Sequence, residues 1–446
     1  MDAIRRAGER HRLGAASAQP LLLAPSEFDA GGLGDVTTGF LPVRRYEEFG
    51  TQLAEILRTL AIPMGVCSQH ADLVEEKTTD FVGRDRVFDA INSFIEANSC
   101  GYFQLLGDPG DGKTTIMAEY VRRTGCVAHF NVRSQGVNTP RQFVDNLGVQ
   151  LTARYGIAGP VDTGDSSRYG ETIGRMLKEA RAALPDDVPL VIAVDALDEA
   201  ERPTDDTAGN VLFLPPRLPK GVYFVVSSRR AEVSLRIETA SRPYDLAHHL
   251  DSTMVDIGEY LTRMSSRPAL RSWLAERNIP LPRFVGVLAE KSEGNFMYLR
   301  HVLPELSNGL YQSLDIQQLP HGLKNYYESH WRLMGMATKS SPRTKVWIVY
   351  VLCELTRPVS IALLARVMRE VQAGVDAIAI QEVLTEWQQF LRRDADPDGP
   401  RFSIYHTSFR DFLHKRDTIA SAGLTLTGVN GVISDVLWEE EYGEED

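Results

Sequence analysis

Apolar residues along this chain fall into two regimes. Between residues 100 and 230, short unbroken apolar runs alternate with stretches whose apolar positions recur at helical spacing, and after about residue 251 only the helical spacing continues. The runs at 102–106, 126–132, 190–195 and 222–227 predict strands buried on both faces. Ile116, Met117, Tyr120 and Val121 share one helix face, as do Phe143, Val144, Leu147 and Leu151, and a further helix is predicted over 171–184. Gly125 supplies a C-cap, and Thr139-Pro140-Arg141-Gln142 is a capping box with proline at the first helical position. Strands alternating with helices predict an α/β fold, a parallel sheet covered on both faces, with ligands at the carboxyl ends of its strands.

The later part predicts an all-helical domain and then a mixed one. Ile257, Tyr260, Leu261 and Met264 pattern one helix, shorter helices follow to 306, and another spans 326–334. Helices at 346–355, 361–371 and 378–391, a turn at 396–400, a strand at 401–405 and a helix through 413 give the outline of a winged helix. Ahead of the core, 20–28 suggests a strand, 31–39 a flexible turn, and 46–60 an amphipathic helix with Phe49, Leu53, Ile56, Leu57 and Leu60 in one stripe. The expected division is therefore an N-terminal segment (1–78), a core (79–250), a helical lid (251–338), a winged helix (339–420) and an acidic tail (421–446).

Composition narrows the class. Of 446 residues, 43% are hydrophobic and 24% charged, as in an ordinary globular protein, and the formal charge of −12 disfavours a broad nucleic-acid footprint. Cys67, Cys100, Cys126 and Cys353 form no CxxC pair and are expected as reduced thiols of a cytoplasmic protein. No apolar run approaches the ~18 residues of a membrane span. The positive start has too short an apolar patch, 21–24, for an export signal. The histidines show no metal-ligand spacing.

The chemistry concentrates where the 102–106 run ends. Gly107-Asp108-Pro109-Gly110-Asp111-Gly112-Lys113-Thr114 fits GxxxxGK[ST] at every fixed position, between a predicted strand and a predicted helix that continues with Thr115. Glycines let successive N–H groups turn around a phosphate chain, and the helix start adds partial positive charge. Lys113 can reach the β- and γ-phosphates, and Thr114 can offer its hydroxyl to Mg²⁺. In VIAVDALDEA, Asp195 ends a buried strand where it can hold the water shell of Mg²⁺ beside Thr114. Asp198 and Glu199, a turn later, can orient or activate an attacking water.

With these motifs in place, the stretch from about residue 80 onward resembles the STAND class of signalling ATPases, in particular its NACHT branch. Phe81-Val82-Gly83-Arg84-Asp85 is similar to the motif whose backbone lies against the adenine, and VDALDE to an extended Walker B element. FVVSSRR is similar to the sensor strand, so the resemblance implies that Arg229 senses the γ-phosphate. KSEGNFMYL resembles the motif that closes the adenine pocket, with Phe296 where many relatives carry proline. YHTSFRDFL resembles the winged-helix motif whose histidine touches the β-phosphate of ADP, which makes His406 the latch of the resting state. The resemblance implies ATP/ADP and Mg²⁺ as cofactors, slow hydrolysis and a homo-oligomer in the ATP-bound state. It also implies a protein partner for sensing or effector function, and commonly a role in antiphage defence. Relatives carry repeats as sensors, which are not expected here. The opening segment weakly resembles a caspase-like effector, but Cys67 precedes His70, the wrong order, so a non-catalytic docking segment is expected.

Two other classes compete. An initiator-like AAA+ ATPase with a DNA-binding winged helix needs a basic recognition helix, whereas residues 341–413 intersperse Arg343, Lys345, Arg392 and Arg393 with Glu354, Glu370, Glu382 and Glu386. A small-molecule P-loop kinase needs lid arginines in a compact chain rather than two further domains. GTP use is disfavoured because no NKxD motif is present.

Overall fold

The computed structural model describes residues 21–23, 41–43, 68–160, 168–202, 209–230, 232–308, 315–336, 343–355, 357–371, 374–415 and 425–442. The expected turn at 31–39, the helix at 46–60 and Cys67 lie outside them. Leu21–Leu23 (β1) and Leu41–Val43 (β2) pair in parallel, so β1 falls within the strand expected at 20–28. Ser68–Thr78 (α1) and Asp85–Ala97 (α2) precede the core. The core runs Gly101–Leu106 (β3), Lys113–Thr124 (α3), Val127–Phe130 (β4), Pro140–Tyr155 (α4), Tyr169–Ala182 (α5), Leu190–Asp195 (β5), Val222–Ser228 (β6) and Ala240–Asp245 (β7).

These strands form one parallel sheet in the order β4-β5-β6-β3-β7. The order puts the ends of β5, β6 and β3 side by side, which is what positions the site. One face of the sheet packs Ile192 and Phe224 against Phe143 and Leu147 of α4 and Ile173 and Leu177 of α5. The other packs Phe103 and Val225 against Ile91 and Phe94 of α2 and Met117 and Val121 of α3. Every residue of β6 is buried, as expected of a strand covered on both sides. The edge strand β7 is mostly polar and carries Pro243, which an edge tolerates, and for that reason the apolar pattern does not announce it. It pairs so closely that a Cβ on Gly101 would lie 2.3 Å from the carbonyl oxygen of Ala240.

Both halves of the capping box form at α4: Thr139 Oγ1 accepts from the Gln142 N–H, and Gln142 Oε1 accepts from the Thr139 N–H. Thr139→Ala is expected to cost about 1 kcal/mol in a urea unfolding series.

Beyond the sheet come Leu250–Ser265 (α6), Pro268–Glu276 (α7), Leu281–Ser292 (α8), Phe296–Ser307 (α9), Gly322–Leu333 (α10) and Arg343–Glu354 (α11). Val359–Ser360 (β8), Ile361–Val371 (α12), Ala377–Glu386 (α13), Leu391–Asp394 (β9), Arg401–Ile404 (β10), Thr407–His414 (α14) and Leu426–Tyr442 (α15) complete the chain. One continuous apolar core runs from Ile257 to Val436, joining the two stretches that the sequence suggests as separate units.

Two expectations are corrected. The helix expected over 378–391 stops at Glu386, and 391–394 is a strand pairing antiparallel with β10. The hairpin turn decides it: Asp396 accepts from the Asp398 N–H and from Arg401 Nε, and Gly399 takes φ +115°. The stretch expected as an acidic tail from 421 contains α15, whose Val429, Ile433 and Val436 pack into the same core. Among the described residues no helix is long and apolar enough to cross a membrane.

Candidate functional site

The loop between β3 and α3 needs its glycines. Gly110 and Gly112 adopt φ of +92° and +90°, and a Cβ on Gly110 would lie 2.5 Å from Asn295 Oδ1. Asn295 caps α9 through the Met297 and Tyr298 N–H groups, and its Nδ2 donates to the Pro109 carbonyl at 3.1 Å. The helical part of the chain is thereby docked onto the loop. Lys113 Nζ donates to the carbonyls of Gly107 (2.9 Å) and Asp108 (3.1 Å). Burial holds its pKa below the usual lysine range, against the attraction of Asp198, Asp111 and Asp195.

Asp195 ends β5, almost fully buried, and accepts a hydrogen bond from the Ser227 hydroxyl, with the Thr114 hydroxyl near enough to favour its charged form. Burial pushes its pKa up, against the pull of those hydroxyls and of Lys113. A carboxylate this deep, with two hydroxyls beside it, fits a small hard cation such as Mg²⁺. Asp198 and Glu199 occupy the tight turn after β5 but face different partners. Asp198 Oδ1 accepts from the Arg229 N–H at 3.1 Å, and its Oδ2 lies 3.0 Å from Arg229 Nε. Glu199 Oε2 accepts from the Arg133 N–H at 3.0 Å, and burial pushes its pKa up to about 7.

Arg229 reaches onward. Its Nη1 lies 2.8 Å from Asp411 Oδ2 on α14 and 3.4 Å from Glu232 Oε1. Burial works against this guanidinium, but Asp411, Asp198 and Glu232 outweigh it and raise its pKa. His406, the N-cap of α14, uses Nδ1 to accept from the Ser408 N–H (3.1 Å) and hydroxyl (2.7 Å). The proton of the neutral ring is therefore on Nε2, which remains free to donate. Burial, with repulsion from Lys77, His301, Lys113 and Arg229, keeps the ring pKa well below its ordinary value.

One cavity of about 710 Å³ gathers these groups. Pro109, Gly110, Gly112, Lys113, Thr114 and Thr115 line it from the loop, and Asp195, Asp198, Glu199 and Arg229 from the strand ends. Phe81, Val82 and Phe296 line it where Met264, Leu270 and Leu299 add apolar surface, and His406 lines it from α14. Gly107, Asp108 and Asp111 do not line it; they shape the loop. Asp111 Oδ2 accepts from the Asp108 N–H at 2.7 Å, and the Asp108 carboxylate pairs with Arg230, which also grips Asp245.

Several residues of the site escape sequence reading. Arg84 is buried, takes φ +65°, and donates to Thr253 Oγ1 and the Asp111 carbonyl, both at 2.8 Å, with Phe296 beneath it at 4.9 Å. Its place in FVGRD is a signal, but its partners lie on the loop and on α6. Asn295 and Asp411 likewise sit inside quoted motifs without an obvious role there.

The parallel sheet and its glycine-rich loop define an α/β fold of the phosphate-loop NTPase kind. No protein-family profile matches the chain, and no curated protein is similar to it in sequence. Among solved structures it is similar to a STAND signal-transduction ATPase with a tetratricopeptide-repeat sensor from Pyrococcus horikoshii, at 12% identity and a TM-score of 0.40. That match covers 81% of this chain and 46% of the archaeal one, so the chain spans about half of its neighbour's length. It is also similar to a RuvB mutant from Thermotoga maritima, at 14% identity and a TM-score of 0.27, over 76% of this chain and 98% of that one.

Proposed function

We propose that this chain is a nucleotide-operated switch of the STAND type, which binds ATP or ADP and hydrolyses ATP slowly. The observation that carries the reading is α14, which brings His406 into the cavity of the phosphate loop and Asp411 onto Arg229. A plain hydrolase has no need to place a distant helix on its own sensor arginine. In this reading Lys113 and the loop N–H groups hold the phosphates, Phe81, Val82 and Phe296 face the base, and Glu199 activates water. Thr114 and Asp195 would hold Mg²⁺, whose positive charge would offset that of the phosphates.

His406 Nε2–H donates to the β-phosphate of ADP, while Asp411 keeps Arg229 engaged. A γ-phosphate competes with Asp411 for Arg229, so ATP weakens the contact that ADP leaves intact. We read 79–250 as the nucleotide-binding unit, 251–338 as its lid and 339–420 as a winged helix, with oligomerisation in the ATP state and antiphage signalling as the wider role.

His406→Ala and Asp411→Asn test the latch. Each removes a contact worth about 1–3 kcal/mol, so ADP should dissociate roughly tenfold faster and light scattering should show an open or larger species. Unchanged off-rates and masses in both variants would leave α14 a packing element and end the switch reading.

A further inference from the structure

A second group of cations faces the same cavity, away from the strand ends. Glu76 and Lys77 come from α1, Arg300 from α9, and Tyr405 from just beyond β10, and all four line the cavity. Glu76 Oε1 accepts from Lys77 Nζ and from Arg300 Nη2, each at 3.0 Å, and from the Tyr405 hydroxyl at 3.5 Å. The Lys77 ammonium and the Arg300 guanidinium lie 5.2 and 5.0 Å from the centroid of the Tyr405 ring. Arg392 also lines the cavity, 3.9 Å from Glu76 Oε2, with its own carboxylate partner Asp394 at 2.7 Å.

Two cations thus share one carboxylate directly, while the third is balanced by Asp394. The Lys77 side chain is only 19% exposed, so its charge is held within the cavity wall rather than in open solvent. Burial works against the Glu76 carboxylate, but Lys77, Arg300 and Arg392 outweigh it and hold its pKa below the usual range. Tyr405 directly precedes His406 and both line the cavity, so the cluster borders the residue assigned to the phosphate. Convergent cations with one shared carboxylate form a group that a phosphate can enter by displacing that carboxylate.

We propose that Lys77 and Arg300 form a second anion subsite in the nucleotide cavity, beside His406, which takes a phosphate of the bound nucleotide, with Glu76 as its internal counter-ion. The proposal rests on the nucleotide reading above and extends it. It gives α1, which belongs to the segment preceding the core, a direct contact with the ligand. Whatever is joined to α1 then responds to nucleotide without passing through the sheet.

The test is calorimetric affinity of the full chain for adenosine, AMP, ADP and ADP carrying a 3′-phosphate, in the parent, Lys77→Ala and Glu76→Gln. Lys77→Ala should lose about tenfold for phosphorylated ligands and nothing for adenosine, the size of one charge-assisted hydrogen bond. Glu76→Gln should bind the same ligands severalfold tighter, because the competing charge is gone. A carboxylate that only tethers its neighbours would instead weaken binding when neutralised, and that result overturns the proposal. Loss confined to the 5′ series or to the 3′-phosphate supports it and says which phosphate enters. If the parent binds ADP and both variants match it, the subsite is wrong while the nucleotide reading stands. If the parent binds no phosphorylated nucleotide, that reading itself fails.

Discussion

Glu199→Gln is expected to keep nucleotide bound while slowing hydrolysis about a hundredfold, the usual cost of losing a positioned acid–base group. The geometry separates Glu199 from its neighbour. Asp198 is tied to Arg229 through both backbone and side chain, so it orients the arginine rather than a water. Glu199 is held by the Arg133 N–H through Oε2 alone, and burial places its pKa at about 7. A base must be deprotonated to accept a proton, so single-turnover hydrolysis should rise with pH through about 7 in the parent. The glutamine variant should lose that rise along with the rate. Should Asp198→Asn abolish turnover while Glu199→Gln leaves it and its pH profile intact, the two roles are exchanged.

Lys113→Ala is expected to weaken ATP and ADP binding by tens-fold or more. Its ammonium already sits among the loop carbonyls of Gly107 and Asp108, with Asp195 and Asp198 close enough to draw on its charge. A phosphate in the loop would replace neutral acceptors with charged ones, and each charge-assisted bond contributes roughly 1.5–3 kcal/mol. Calorimetry that returns the parental affinity would remove the loop as the binding site.

The phosphate loop and four of the five strands of the sheet are legible in the sequence because their causes are local. Glycine spacing, unbroken apolar runs and a capping box each act over a few residues. The missed pieces depend on partners far along the chain. Arg84 matters because Thr253 and Phe296 surround it, and Asp411 because Arg229 reaches it across 182 residues. Nothing near either residue announces those meetings. The helix expected over 378–391 overruns its end at Glu386 because its apolar neighbours continue a helical period, and the strand at 391–394 goes unread because the hairpin bonds of Asp396 that close it leave no apolar pattern. The helix at 426–442 is hidden by the acidic residues at its end, although three apolar positions hold it to the core.

The continuous core from Ile257 to Val436 has a mechanical consequence. The buried apolar clusters on the two faces of the sheet remain separate from it, so among the described residues no shared apolar cluster welds the two bodies together. What spans the gap is polar: Arg229 with Asp411, Arg84 with Thr253 and Asp256, Asn295 with Pro109, Arg267 with Asp80, and Glu76 with Arg300. Ions in solution screen the exposed links, Arg267 with Asp80 and Glu76 with Arg300, far more than the buried pairs of Arg84 and Arg229. Rising ionic strength is therefore expected to loosen the outer links between the bodies while the buried links and both apolar interiors hold.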